Sequence, residues 1–97
     1  MPQTITPRLH RTITLAANDL CTVNYPGGTN GILGLKNDGP GNVWVSFDPG
    51  VPAAVNNVDC FVLLKNEAFT NDKIRRGSSF TLNADTAATI VTLTFSF

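Results

Sequence analysis

The stretch Ala88-Thr89-Ile90-Val91-Thr92-Leu93-Thr94-Phe95-Ser96-Phe97 decides the fold of this 97-residue chain. Val91, Leu93, Phe95 and Phe97 alternate with Ile90, Thr92, Thr94 and Ser96. That period of two gives a β-strand one apolar face and one hydroxyl-rich face. The run reaches Phe97, so the expectation is a closing strand that is paired or packed. Upstream, Arg75-Arg76-Gly77-Ser78-Ser79-Phe80-Thr81-Leu82 leads into another strand over 80–83, and a small-residue turn separates it from the closing run.

Working back along the chain, the same alternation recurs between turn signals. Leu9, Ile13 and Leu15 alternate with His10, Thr12 and Thr14, and Asn18-Asp19 makes a turn. Cys21, Val23 and Tyr25 line one side of a second strand, followed by Pro26-Gly27-Gly28-Thr29-Asn30-Gly31, a loop of residues that accept positive φ. A third strand spans 32–36, a tight turn 37–41, and a fourth strand 42–48. There Val43, Val45 and Phe47 face in while Trp44 and Ser46 face away. After a longer loop over 49–57, the near-continuous apolar run Cys60-Phe61-Val62-Leu63-Leu64 suggests a central strand covered on both faces. Ala68-Phe69-Thr70 reads as a short edge strand. Pro2 and Pro7 keep 1–8 out of a helix and make it an extended arm ahead of a single domain over 9–97.

Seven or eight short strands and no helical periodicity give an all-β chain. The economical way to bury their apolar sides is an antiparallel β-sandwich in a jelly-roll-like arrangement. Alternation says which face of a strand is buried and nothing about which strand lies beside it.

Composition narrows the function classes. Charged residues make up 14% and the net charge is zero, against roughly 25% charged in ordinary soluble domains. Nucleic acid needs Lys and Arg clustered on one face, so it is not an expected partner. A neutral surface with little charge repulsion favours association of copies. No basic-then-apolar leader layout and no apolar run near the roughly 20 residues of a membrane helix are visible, so no membrane partner is expected, and the chain reads as made and kept inside a cell or packaged from there. Cys21 and Cys60 lie in apolar strand segments without metal-ligand spacing, and read as buried free thiols.

Catalytic patterns are missing. His10 stands alone on a Thr-rich face beside Arg8 and Arg11, and a Cys–His pair has no third, orienting group. Asp48, Asp59, Asp72 and Asp85 sit at strand ends, where carboxylates bond backbone N–H groups. Calcium ligation by Asn56, Asn57 and Asp59, or by Asn83 and Asp85, lacks the loop spacing that would make it specific. Gly39-Pro40-Gly41 meets Trp44 where a phosphate loop needs a third glycine. No cofactor, metal or catalytic residue is therefore assigned, and no enzyme activity is expected.

Five side chains are candidates for partner contact. Trp44 is out of phase with its inward neighbours; it lies either under a second layer or loop, or in the open as a contact hot spot or sugar-stacking platform. Tyr25 is the other aromatic suited to stacking on a sugar. Arg75 and Arg76 form the basic pair that could meet acidic groups on a partner, or are a solvated loop. Phe97 raises the question of an inter-subunit contact.

The segments Gly31-Ile32-Leu33-Gly34-Leu35-Lys36-Asn37-Asp38-Gly39, Asn42-Val43-Trp44-Val45-Ser46-Phe47-Asp48 and Gly77-Ser78-Ser79-Phe80-Thr81-Leu82, with the closing strand, resemble small virion proteins of tailed bacteriophages. In particular they resemble the jelly-roll cement, or decoration, proteins of capsids. That resemblance implies a structural protein on the capsid surface, made in a host bacterial cytoplasm. Its partners would be the major capsid protein and its own copies, as a homodimer or homotrimer, with the arm 1–8 laid over a neighbour. The alternative is a carbohydrate- or receptor-binding module of a phage tail, collar or fibre, with Trp44 and Tyr25 stacking on sugar rings.

Overall fold

The computed structural model describes residues 3–6, 8–25, 31–48, 50–74 and 78–96, with 72–74 described for backbone alone. Nine strands build it: β1 (Gln3–Ile5), β2 (His10–Leu15), β3 (Cys21–Asn24), β4 (Gly31–Gly39), β5 (Val43–Ser46), β6 (Phe61–Leu63), β7 (Ala68–Ile74), β8 (Ser79–Ala84) and β9 (Thr89–Ser96). They form two sheets, ordered β1-β3-β8-β5-β6 and β2-β9-β4-β7. The all-β sandwich expected from alternation is the fold observed.

Its connectivity is that of a jelly roll. The antiparallel pairs β2·β9, β3·β8, β4·β7 and β5·β6 are nested, each inside the one before, as in a long hairpin folded over on itself. Rolling that ribbon brings β9 beside β4 and β8 beside β5, which closes each sheet. The facing sides bury Ile13, Leu15, Cys21, Val23, Leu33, Leu35, Val43, Val45, Phe80, Leu82, Val91, Leu93 and Phe95. Each fully buried aliphatic or aromatic side chain contributes roughly 1.5–3 kcal/mol of transfer free energy. At the β6/β7 edge, Phe47, Phe61, Phe69 and Phe80 close the space between the sheets, with Phe61 and Phe69 ring centroids 4.7 Å apart.

Three expectations are corrected. Residues 3–5 of the arm form β1, paired in parallel with β3, and Gln3 Nε2 donates to Thr14 O at 3.4 Å. That segment is thus spent on its own sheet rather than laid on a neighbour. The apolar run at 60–64 is not a central strand: β6 has three residues, lies at a sheet edge, and leaves Val62 and Leu64 exposed. A continuous apolar run marks two apolar faces, and here one of them meets solvent. Finally, β4 runs on through the segment read as a turn, as far as Gly39.

The reason for that extension is Asn37. It occupies an inward position of β4, fully buried, and its amide is fully used. Nδ2 donates to Gly41 O (2.8 Å) and Leu63 O (2.9 Å), and Oδ1 accepts from Gly39 N (2.8 Å). Its backbone bonds Glu67 O and Asn66 N. One side chain thus ties the β4–β5 turn to β6 in the other sheet. Gly39 has φ +80, a region L side chains rarely adopt, and the Lys65 stem lies across it.

Candidate functional site

Trp44 is on the outward face of its sheet, as its phase requires, yet is only 7% exposed. Its row across that face is Asn83–Trp44–Val62. A strap over 50–60 meets this face at Ala53. Ala53 N donates to Thr81 Oγ1 at 2.8 Å, and Asn83 Nδ2 donates to Ala53 O at 3.1 Å. Ala53, Ser46 and Asn83 are buried beneath or within it. The indole is therefore covered by a loop, and the open-platform reading is excluded. Among the described residues, none donates a hydrogen bond to Asn83 Oδ1.

Tyr25 is also buried. Its ring packs on Phe95 with centroids 5.8 Å apart, in the sandwich interior beside Val23. Neither aromatic offers a face to a sugar. Arg75, Arg76 and Phe97 lie outside the described residues. Of the two candidates that are described, Trp44 lies on the outward side of its sheet and Tyr25 in the interior.

Several other chemically capable groups are occupied structurally. Asp85 Oδ1 accepts from Asn42 N at 3.0 Å and from the Thr86 hydroxyl, and Asn57 Oδ1 accepts from Asp59 N at 2.9 Å. Asp48 Oδ1 holds Gly50 N at 2.8 Å. Among the described residues, no three His, Cys, Asp or Glu side chains are placed to hold a metal ion. Cys21 and Cys60 are free, Cys21 buried and Cys60 half-buried. Strand order puts β3 and β6 three strand spacings apart, roughly 14 Å, too far for a disulfide. Burial pushes the Cys21 thiol up to about 11 and keeps it protonated and inert near neutral pH.

Among the exposed surfaces, the leading corner of β2 is set apart by its charge. Arg8, Leu9, His10 and Arg11 are all exposed, Leu9 to 50%. Phe95 N donates to Leu9 O at 2.8 Å, so the approach to β2 is already held against β9. His10 opposes Thr94, which opposes Gly34, which opposes Thr70. The next row pairs Ser96 with exposed Ile32. A basic, partly apolar corner thus borders a low, hydroxyl-bearing surface. Two of the seven Lys and Arg residues and the single His fall within four positions, a local density that sequence reading noted and did not use.

No family model matches this sequence, and no curated protein matches it. Among solved structures, the fold is similar to that of Aeromonas hydrophila PliG, a periplasmic inhibitor of g-type lysozyme. The TM-score is 0.56 and the identity 8%, over 98% of each chain. At that identity the likeness is one of fold. The protein matched is a lysozyme inhibitor and not an enzyme. The expectations built on virion resemblance are corrected by it: capsid cement or phage tail module as role, the major capsid protein and copies of the chain as partners, and the virion as location. The physical reason is that strand alternation and Asn-Gly punctuation specify a jelly roll, and a jelly roll serves many unrelated functions.

Proposed function

We propose that this chain is a non-catalytic binding domain that acts by docking on a partner protein, and that the partner is a glycan-cleaving hydrolase of the lysozyme kind. The observation that carries this reading is the end-to-end likeness to a lysozyme inhibitor, with neither chain extending beyond the other by more than a few residues. Inhibition of that kind requires a rigid scaffold and an exposed contact surface, not a reactive group. The described residues fit, since the carboxylates of Asp48 and Asp85 are held in turns and Cys21, Tyr25 and Trp44 are buried, while a cationic corner stays open.

The test is clearing of a cell-wall suspension by g-type lysozyme with the purified chain added at stoichiometric and tenfold molar ratios. The expected result is slowed clearing that saturates with added chain. Unchanged clearing of g-type, c-type and i-type enzymes at micromolar concentration of the chain rejects the hydrolase as partner.

A further inference from the structure

We infer that the docking surface is the corner formed by Arg8, Leu9, His10 and Arg11 with Ile32 beside it, and that it receives a carboxylate-lined cleft on the partner. This rests on the proposed function and adds to it the surface and the chemistry recognised. Among the described residues, none forms an ion pair or a side-chain hydrogen bond with Arg8, His10 or Arg11. Two guanidinium groups are thus held in solvent with their donors unspent.

The distribution of acids makes the corner distinctive. On the outward face of the same sheet, Asp38 sits at the opposite end, taken by Lys36 at 3.5 Å and by the Thr92 hydroxyl at 2.9 Å. Glu67 and Asp85 belong to turns at that far end. Asp48 and Asp59 flank β5 and β6, on the lateral edge away from β2. Asp19, between β2 and β3, and Asp72, on β7 beside β4, complete the seven acids. None of the seven lies on β2 or β9, so in a chain of zero net charge β2 carries a local excess of positive charge at this corner. Such an excess orients an approaching acidic surface and raises its association rate.

Glycan hydrolases present a pair of carboxyl groups flanking the scissile bond, and a guanidinium fork matches a carboxylate in two-point geometry. Leu9 and Ile32, exposed to 50% and 43%, add apolar contact, Ile32 on the outward side that His10 shares. The low row Thr94–Gly34–Thr70 lets a partner's rim approach the sheet without obstruction. Charges on an edge strand also keep copies from pairing edge to edge. Reversing the charge separates the two roles, because an edge studded with Glu is still protected.

The experiment measures association of g-type lysozyme with the immobilised full chain at about 50 and 300 mM salt, comparing wild type, R8A/R11A, R8E/R11E and K36E. Circular dichroism checks that each variant keeps its β spectrum. The expected result is an association rate that falls with salt, drops several-fold in R8A/R11A and roughly tenfold or more in R8E/R11E, and stays unchanged in K36E. Wild-type binding that R8E/R11E leaves intact overturns this assignment of the surface while the function reading stands. Absence of wild-type binding at either salt to g-type lysozyme, and to c-type and i-type enzymes run alongside, overturns the function reading and this inference with it.

Discussion

At the scale of single residues, the most consequential side chain is one whose type points elsewhere. Asn37 sits in Asn-Asp-Gly-Pro-Gly, a run that reads as turn chemistry, and turns expose their polar groups. In the fold it is fully buried and makes three side-chain hydrogen bonds, two within its own turn and one to Leu63 in the other sheet. Asn37→Ala leaves the carbonyls of Gly41 and Leu63 and the amide of Gly39 without that partner. The expected loss is about 2–4 kcal/mol, since each buried group left unpaired costs roughly 1–3 kcal/mol and some regain water. Asn37→Asp has the same shape but sets a carboxylate against two carbonyls, so it should cost at least as much as Ala. Urea unfolding followed by Trp44 fluorescence measures both, and a loss under about 1 kcal/mol for either would contradict the bridging role. Trp44 carries the complementary lesson. Its phase was legible from Val43 and Val45, whereas its cover was not, because the loop over 49–57 has no periodicity from which a docking position could be read.

At the scale of elements, the strap over 50–60 is a second layer on the outward side of the five-stranded sheet. Among the described residues, its hydrogen bonds to that sheet are made by the backbone of Ala53, with Thr81 and Asn83, and Ala53 is itself buried. Thr81→Val keeps the shape and the strand propensity of β8 but removes the acceptor for Ala53 N. The strap is expected to loosen while the sandwich persists. Trp44 is the single tryptophan, so its emission should shift to the red and become quenchable by iodide, with the far-UV spectrum unchanged. Emission that stays buried in Thr81→Val would mean that packing of Ala53 on the indole, rather than the hydrogen bond, holds the strap. Two short strands show the limits of pattern reading at this scale. β1 is three residues between Pro2 and Pro7, too short for alternation to register, and it exists because Gln3, Thr4 and Ile5 find β3 alongside. β6 belongs to an apolar run whose outer side, Val62 and Leu64, is left in solvent at the sheet edge.

At the scale of the whole molecule, the two-layer sandwich was legible and the nesting of its strands was not. Each strand shows the same apolar-polar alternation whichever strand it pairs with, so order is set by the loops and by the final packing. The nested ribbon assigns unequal importance to the two ends of the chain. β9 lies between β2 and β4 and contributes Val91, Leu93 and Phe95 to the core. Its removal strips a hydrogen-bonded neighbour from two strands and uncovers the facing sheet. β1 pairs with β3 alone, at an edge, and half-buried Ile5 is its main apolar contribution. Deleting residues 89–97 is therefore expected to abolish the folded state, read as loss of the β spectrum and of a cooperative melt. Deleting residues 1–6 should leave both in place at a cost of about 1–2 kcal/mol, the order expected for partial burial of one aliphatic side chain and a few edge hydrogen bonds. The shorter chain also retains Arg8, Leu9, His10 and Arg11, so it should bind as the full chain does if that corner is the docking surface. A β1 deletion that unfolds the chain would show that the eight nested strands are not self-sufficient, and that the parallel edge strand is part of the cooperative unit.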